Sequence, residues 1–255
     1  MPKLQRRTMR AAGITLCAGL LVGTLAACGD DSSGSGGNGI ADKSAKEISD
    51  AAQQALLEAK SLRMKMESGE AGSDGPQAFD LAVDQDGNCA GTFDMAPGKG
   101  SFEILKVGEK VWMKADKDFW KATGGPQGEA VSALVGDKYL VGDANDPQMQ
   151  SFSSSCNLTA LQADMKSDNN SGDMKKGDKG SVDGQETIAI HGTEDGEEST
   201  IDVATEGEPY PLRIVSEEDG KKNTVLFSDF DEPVPSETPA AGETVDLAEL
   251  QKQQG

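Results

Sequence analysis

The sequence predicts an α+β domain in which helices cover one face of a single antiparallel sheet. Three observations carry this. Apolar spacing changes from a period of 3.6 to a period of 2 at about residue 60. Strands, then helical segments, then strands again follow one another along the chain, the order that packs helices on one side of an antiparallel sheet. Finally, Cys89 shares its strand face with Phe93 and Cys156 lies on the apolar stripe of its segment, so two independent periodicities point the cysteines toward each other.

The first element is a helix over 44–60. Ser44 followed by Glu47 forms a capping-box pattern, and Ile48, Ala52, Ala55, Leu56 and Ala59 recur every three or four residues. Alternation then takes over: Leu62, Met64 and Met66; Phe79, Leu81 and Val83; Cys89, Gly91, Phe93 and Met95; Phe102 and Ile104; Val111 and Met113. These are about five short antiparallel strands, with Asp86-Gly87 and Gly108-Glu109 as turns.

From Trp120 to Lys166 the pattern is helical or irregular, punctuated by Gly124-Gly125-Pro126 and Asp146-Pro147. Met149, Phe152, Cys156, Ala160 and Ala163 mark one helical stripe, which predicts a buried helix over 149–165. Ser167 to Gly180 reads as a polar loop. Strands resume at Thr187–His191, Thr200–Ala204, Leu212–Ser216 and Thr224–Asp229, and Val245, Leu247, Ala248 and Leu250 suggest a short final helix. Ala160, Ala163 and Gly91 remove volume where a full core plug would want Leu or Phe. An apolar cavity is therefore expected between helix and sheet, lined by Met64, Met66, Leu81, Phe93, Phe102 and Phe152.

Ahead of the domain stands an export segment. Lys3, Arg6, Arg7 and Arg10 precede the uncharged run Ala11–Ala27, and Leu25-Ala26-Ala27-Cys28 closes it on a cysteine. Seventeen residues are short for a spanning helix, which wants about 20. The segment resembles a bacterial lipoprotein signal. That resemblance implies cleavage before Cys28, a diacylglyceryl thioether on its sulfur, and a mature protein held on the extracytoplasmic face of the cell membrane by palmitate-type chains. Each buried methylene contributes ~0.8 kcal/mol, so two or three chains anchor stably. Arg6-Arg7 also fits a twin-arginine signal, although Thr8-Met9-Arg10 lacks the apolar pair such signals carry; both export routes stay open.

The organisation is thus a signal peptide at 1–27, a lipidated N-terminus and Gly/Ser linker at 28–42, a domain at 43–235, and an acidic, proline-containing tail at 236–255. Cleavage removes four cations and no acid, so the charge goes from −20 to −24, with 20 Lys plus Arg left against 44 acids. Such a surface repels phosphate, which excludes nucleic acid as a partner. With Cys28 acylated, the even pair Cys89 and Cys156 in an oxidising compartment is expected to form a disulfide. A loop of that size contributes on the order of 4 kcal/mol.

Within the domain, the leading helix ending in Ala59-Lys60-Ser61-Leu62, the Val107-Gly108-Glu109-Lys110-Val111-Trp112-Met113-Lys114 hairpin, Phe119-Trp120, Tyr210-Pro211-Leu212-Arg213-Ile214 and Phe227-Ser228-Asp229-Phe230-Asp231 resemble the LppX/LprG group of actinobacterial lipoproteins. The resemblance spans roughly 43–235. It implies a curved antiparallel half-barrel, similar to the LolA carrier fold, with helices packed on its concave face and a lipid- or glycolipid-binding cavity between the layers. The chain departs from the group in its acidity, its few aromatics and its polar 167–180 segment.

Catalysis has little to stand on. The one histidine, His191, alternates out of phase with Ile188 and Ile190 and is expected to face solvent, and there is no G-x-S-x-G elbow. Asp84-Gln85-Asp86-Gly87-Asn88 begins like a calcium loop, but Cys89 stands where Gly is needed and Met95 where the bidentate Glu belongs. One His and two bonded Cys do not make a zinc set. No catalytic residue, metal or cofactor is therefore assigned. Two readings remain: a ligand-binding lipoprotein with an apolar cavity, and a solid-cored envelope interaction module.

Cys28→Ser is expected to release the protein into the medium or leave uncleaved precursor, read by detergent phase partition and intact mass. A processed form that still partitions wholly into detergent contradicts the anchor.

Overall fold

The computed structural model describes residues 37–68, 75–167, 173–194, 197–218 and 220–254; Cys28 and its signal lie outside them. Helix α1 (Ala45–Glu58) starts as the sequence predicts. The Ser44 hydroxyl accepts from the Glu47 amide at 3.3 Å, and the Ser44 amide donates to Glu47 Oε2 at 3.0 Å, so two helix-end groups are satisfied reciprocally. Ile48, Ala52, Ala55 and Leu56 are its buried face.

Five strands follow in sequence: β1 (Ser61–Ser68), β2 (Pro76–Asp84), β3 (Cys89–Met95), β4 (Ser101–Val107) and β5 (Lys110–Ala115). Helix α2 (Lys117–Val135) leads into β6 (Tyr139–Asp143); two short helices, α3 (Gln150–Ser153) and α4 (Leu158–Ser167), lead into β7 (Asp173–Val182). A second meander, β8 (Gln185–Glu194), β9 (Glu197–Ala204), β10 (Pro211–Glu218) and β11 (Lys221–Ser228), completes the body. Strand β12 (Thr244–Asp246) and helix α5 (Leu247–Gln254) end the chain.

The twelve strands among the described residues form one sheet in the order β12-β6-β5-β4-β3-β2-β1-β11-β10-β9-β8-β7. Two meanders are joined where β1 pairs with β11, and every pairing is antiparallel except β12 on β6. The result is the expected α+β architecture, a curved half-barrel with helices on its concave face.

Register explains why that face holds helices. One row runs Met64, Leu81, Gly91, Ile104, Met113 and Leu140 across six neighbouring strands. The next runs Met66, Phe79, Phe93, Phe102 and Ala115. A period-2 strand puts such rows on one face, and they must be covered. Helices α2–α5 and the residue before α3 cover the β1–β6 half, where Phe119, Met149, Leu158, Leu247 and Leu250 join one core cluster together with Leu56 from the end of α1. Helix α1 covers the other half, where Ile48 and Ala52 meet Ile188, Ile190 and Val203. Cys89 and Cys156 are bonded, with Cα atoms 5.3 Å apart, and tie the start of β3 to the α3–α4 connection.

Several expectations are corrected. No continuous helix runs through 149–165: the chain breaks between α3 and α4, and the Asn157 side chain caps the new start by accepting from the Ala160 amide at 2.9 Å. Cys156 therefore precedes α4 rather than riding on it, and the helical phase is reset. Ala160 and Ala163 face solvent, while Leu158 and Gln162 face the core. Of the segment 167–180 expected as loop, residues 173–180 are strand, since β7 begins at Asp173 and forms the sheet's far edge; residues 168–172 lie outside the described residues. Strands β6 and β12 were not foreseen. Nor is 236–255 a mere tail: after an exposed proline-containing stretch over the convex side, β12 pairs with β6 through Thr244–Tyr139, Val245–Leu140 and Asp246–Val141.

Gln162 is 7% exposed, and its Nε2 donates to the carbonyls of Leu56 and Ala59 at 3.0 and 2.9 Å. It closes the C-terminus of α1 from another helix. The Ala59 carbonyl also accepts from Gln85 Nε2 at 3.0 Å, so Gln162→Leu is expected to take the side-chain donor from the buried Leu56 carbonyl and to destabilise by about 1–3 kcal/mol in guanidinium unfolding, against about ±0.5 for the exposed Ala163→Leu.

Candidate functional site

Helix α2 shapes the site. Asp116 starts it, its Oδ1 accepting from the Phe119 amide at 2.8 Å while Oδ2 accepts from the Ser101 amide at 2.8 Å, which fixes the helix to the start of β4. The helix then kinks at Gly124-Gly125-Pro126, where Gly125 takes φ +53°. That conformation favours glycine, and the following proline removes a helical donor. Past the kink, a Cβ on Gly128 would stand 1.8 Å from the Trp120 carbonyl oxygen, so only glycine lets the halves close this tightly.

The bent helix stands away from β5 and β6 and leaves a groove of about 790 Å³. Met113 and Leu140 on the strands, Phe119 on α2, Met149 before α3, and Leu247 and Leu250 on α5 form its buried apolar floor. Trp120, Val131 and Phe152 are half-buried walls. Thr123, Gln127, Leu134, Gln148, Ser151 and Gln251 make an exposed rim, and Leu134, 49% exposed, is the large apolar side chain most open to solvent among the described residues. Helix α5 seats because Gly142 on β6 has no side chain where Met149 and Leu247 meet over it.

Of the six residues expected to line a cavity, Phe152 alone lines this groove. Met64, Leu81, Phe93 and Phe102 pack in the same core cluster beside it, and Met66 is half-buried at the outer end of its row. The middle of the concave face is filled. Phe93 and Phe102 stack at 4.7 Å, and Phe102 meets Phe119 at 4.9 Å and Phe152 at 5.5 Å. The space that Gly91 leaves is taken by Leu81, whose Cδ1 would be 2.9 Å from an added Cβ. The helices thus plug the centre and roof the β5–β6 end, so the open space is shifted toward that edge. The sequence reading has the short final helix but not its place as a wall of this groove, nor the far half of α2; the Gly-Gly-Pro break inside an otherwise helical run is the signal for the latter.

A second concavity of about 850 Å³ lies on the other side of the sheet, beneath the segment 229–237. Arg63 binds Asp80 there through two contacts of 2.5 and 2.8 Å, with Asp229 at 3.7 Å. The Asp80 hydrogen bond chiefly holds that guanidinium above its ordinary pKa. Burial pushes the Tyr139 phenol up to about 12, helped by its 2.8 Å bond to Glu103. Glu103, Glu232 and Glu237 are also on its lining, so this space is edged by charged side chains, whereas none of the described residues lining the groove under α2 is charged. His191 is exposed with Nδ1 3.0 Å from Thr200 Oγ1, and the 84–88 segment is a hairpin turn in which Asp84 Oδ1 accepts from the Asn88 amide at 2.8 Å.

No protein-family model matches the chain, and no curated protein matches it. Solved structures do. LprF from Mycobacterium bovis is 15% identical over 77% of this chain and 97% of its own, with a TM-score of 0.51. The Mycobacterium tuberculosis lipoprotein LppX is 13% identical over 76% and 98%, at 0.49. A LolA-superfamily protein from Nitrosomonas europaea is 11% identical over 77% and 96%, at 0.25. The likeness to LprF is one of fold: this chain has the LppX/LprG-type half-barrel that the sequence resemblance implied.

Deleting 244–254 removes Leu247 and Leu250 from the groove and is expected to destabilise by about 3–6 kcal/mol, at ~1.5–3 per buried leucine. Anilinonaphthalene sulfonate fluorescence should rise as Leu140 and Met149 become exposed. An unchanged guanidinium midpoint contradicts the placement of α5.

Proposed function

We propose that the protein is a non-enzymatic lipoprotein, anchored to the extracytoplasmic face of the membrane through Cys28, that holds a lipid or other amphiphile in the groove between α2, α5 and the β5–β6 end of the sheet. The observation that carries this is an open groove of about 790 Å³ with an apolar floor, beside a core that is otherwise filled. Ligand sites are concave, largely apolar and a few hundred to a thousand Å³ in size. An acyl chain entering there removes apolar surface from water at roughly 25 cal/mol per Å², with Met113 and Met149 as adaptable contacts. The tight aromatic packing under α3 favours the solid-cored module reading for the centre of the domain, but that reading assigns no role to the groove.

The Cys28→Ser chain, free of its own acyl groups, is expected to bind N-phenyl-1-naphthylamine with a fluorescence increase. Val131→Trp, which fills the groove from α2, should weaken that binding at least tenfold while keeping the thermal midpoint. Equal binding by both proteins overturns the assignment of the site, and no binding by either, with a clean apo mass for protein purified from its host, favours the module.

A further inference from the structure

The two ends of the sheet are finished differently. At one end the chain covers the five-residue strand β6 with its own β12. At the other, β7 closes the sheet with ten residues, seven of them exposed, and among the described residues no strand pairs with its outer side. An unpaired edge is a row of amide donors and carbonyl acceptors open to another strand, and soluble proteins ordinarily keep such edges short or covered.

The side chains on this edge are of one sign where the protein as a whole is of the other. Lys175, Lys176 and Lys179 stand close together on a chain of net charge −20. Lys176 is occupied, its Nζ donating to the carbonyls of Ala41 and Lys43 at 3.0 Å each. Lys175 and Lys179 are exposed and make no ion pair among the described residues. Between them the register with β8 shifts at Gly177-Asp178, a bulge that bends the strand.

We propose that β7 is a docking edge for an extended segment of another protein, one that bears carboxylates and adds to the sheet through its backbone while its acids meet Lys175 and Lys179. Strand addition draws affinity from main-chain hydrogen bonds and selectivity from the side chains beside them. A second copy of this chain is the wrong partner: with two β7 strands antiparallel about the bulge, lysine would face lysine, and the bend breaks a flat pairing. An acidic strand meets attraction at the same positions. The acids elsewhere on the surface weigh little against this at physiological salt, where interactions between exposed charges are screened beyond about 8 Å. The lysines thus both receive one strand and turn another away. The proposal is independent of what the groove holds.

The test uses the Cys28→Ser chain and three rhodamine-labelled peptides followed by fluorescence anisotropy at about 0.15 M salt. The first repeats threonine-glutamate-glutamate-threonine twice, the second has lysine for each glutamate, and the third is the glutamate peptide with its backbone amides N-methylated. The glutamate peptide is expected to bind at least tenfold more tightly than either of the others, and to slow hydrogen exchange of the β7 amides. Lys175→Glu combined with Lys179→Glu should reverse the order of the glutamate and lysine peptides, with the thermal midpoint confirming a folded chain. Equal binding of the methylated peptide reduces the effect to charge attraction and overturns strand addition. An order unmoved by the double substitution, or no binding of the glutamate peptide, overturns the docking edge. A dimer of the unsubstituted chain in sedimentation with its β7 amides protected assigns the edge to a second copy and overturns the proposal as well.

Discussion

The burial of one apolar face of one sheet is the constraint on which the rest of this structure depends. Met64, Leu81, Ile104, Met113 and Leu140 lie side by side across neighbouring strands, and Phe79, Phe93 and Phe102 form the next row. A curved sheet cannot cover its own concave side. Helices α1–α5 among the described residues are placed by that need: α1 before β1, α2 between β5 and β6, α3 and α4 between β6 and β7, and α5 after β12. The disulfide fixes the connection between α3 and α4 at β3, where Cys89 is fully buried. Few aromatics are available, but five of them gather at one place to fill the centre.

What remains open is set by where the covering runs short. The kink at Gly125-Pro126 turns the second half of α2 back over Trp120, and the helix then spans β5 and β6 without filling the space beneath. The end of the chain supplies the last wall. After Ser228 the backbone crosses the convex side, anchored by the Ser61 hydroxyl donating to the Glu232 carbonyl at 2.6 Å and by Tyr210 stacking on Phe230 at 3.8 Å. It then adds β12 in parallel to the otherwise open edge of β6 and folds α5 inward. The strand edge, a liability if left unpaired, and the end of the groove are thus covered by the same eleven residues, 244–254.

Charge is distributed with the same economy. Acids dominate the outside and the space beneath 229–237, whereas the groove is lined by apolar side chains, amides and hydroxyls.

The sequence by itself determined the elements whose residues carry a strong local period or a local cap. Helix α1, strands β1–β5, strands β8–β11 and the short final helix were legible because alternation and capping are read within a few residues of the chain, and the pairing of Cys89 with Cys156 was legible because parity and compartment leave one partner. Tertiary structure decided the rest. Strand β7 bears Lys175, Lys176, Gly177 and Lys179, a composition that reads as loop and becomes strand only because β8 offers its free edge. Strand β6 is five residues long and β12 three, too short for a period to declare itself. The facing side of α4 depended on the break at Asn157, which resets the helical phase so that Gln162 rather than Ala163 meets α1. The groove itself is a difference between volumes contributed by α2, α3, α5 and two strands distant in sequence. No local pattern encodes such a difference, because it exists only once all of them are packed together.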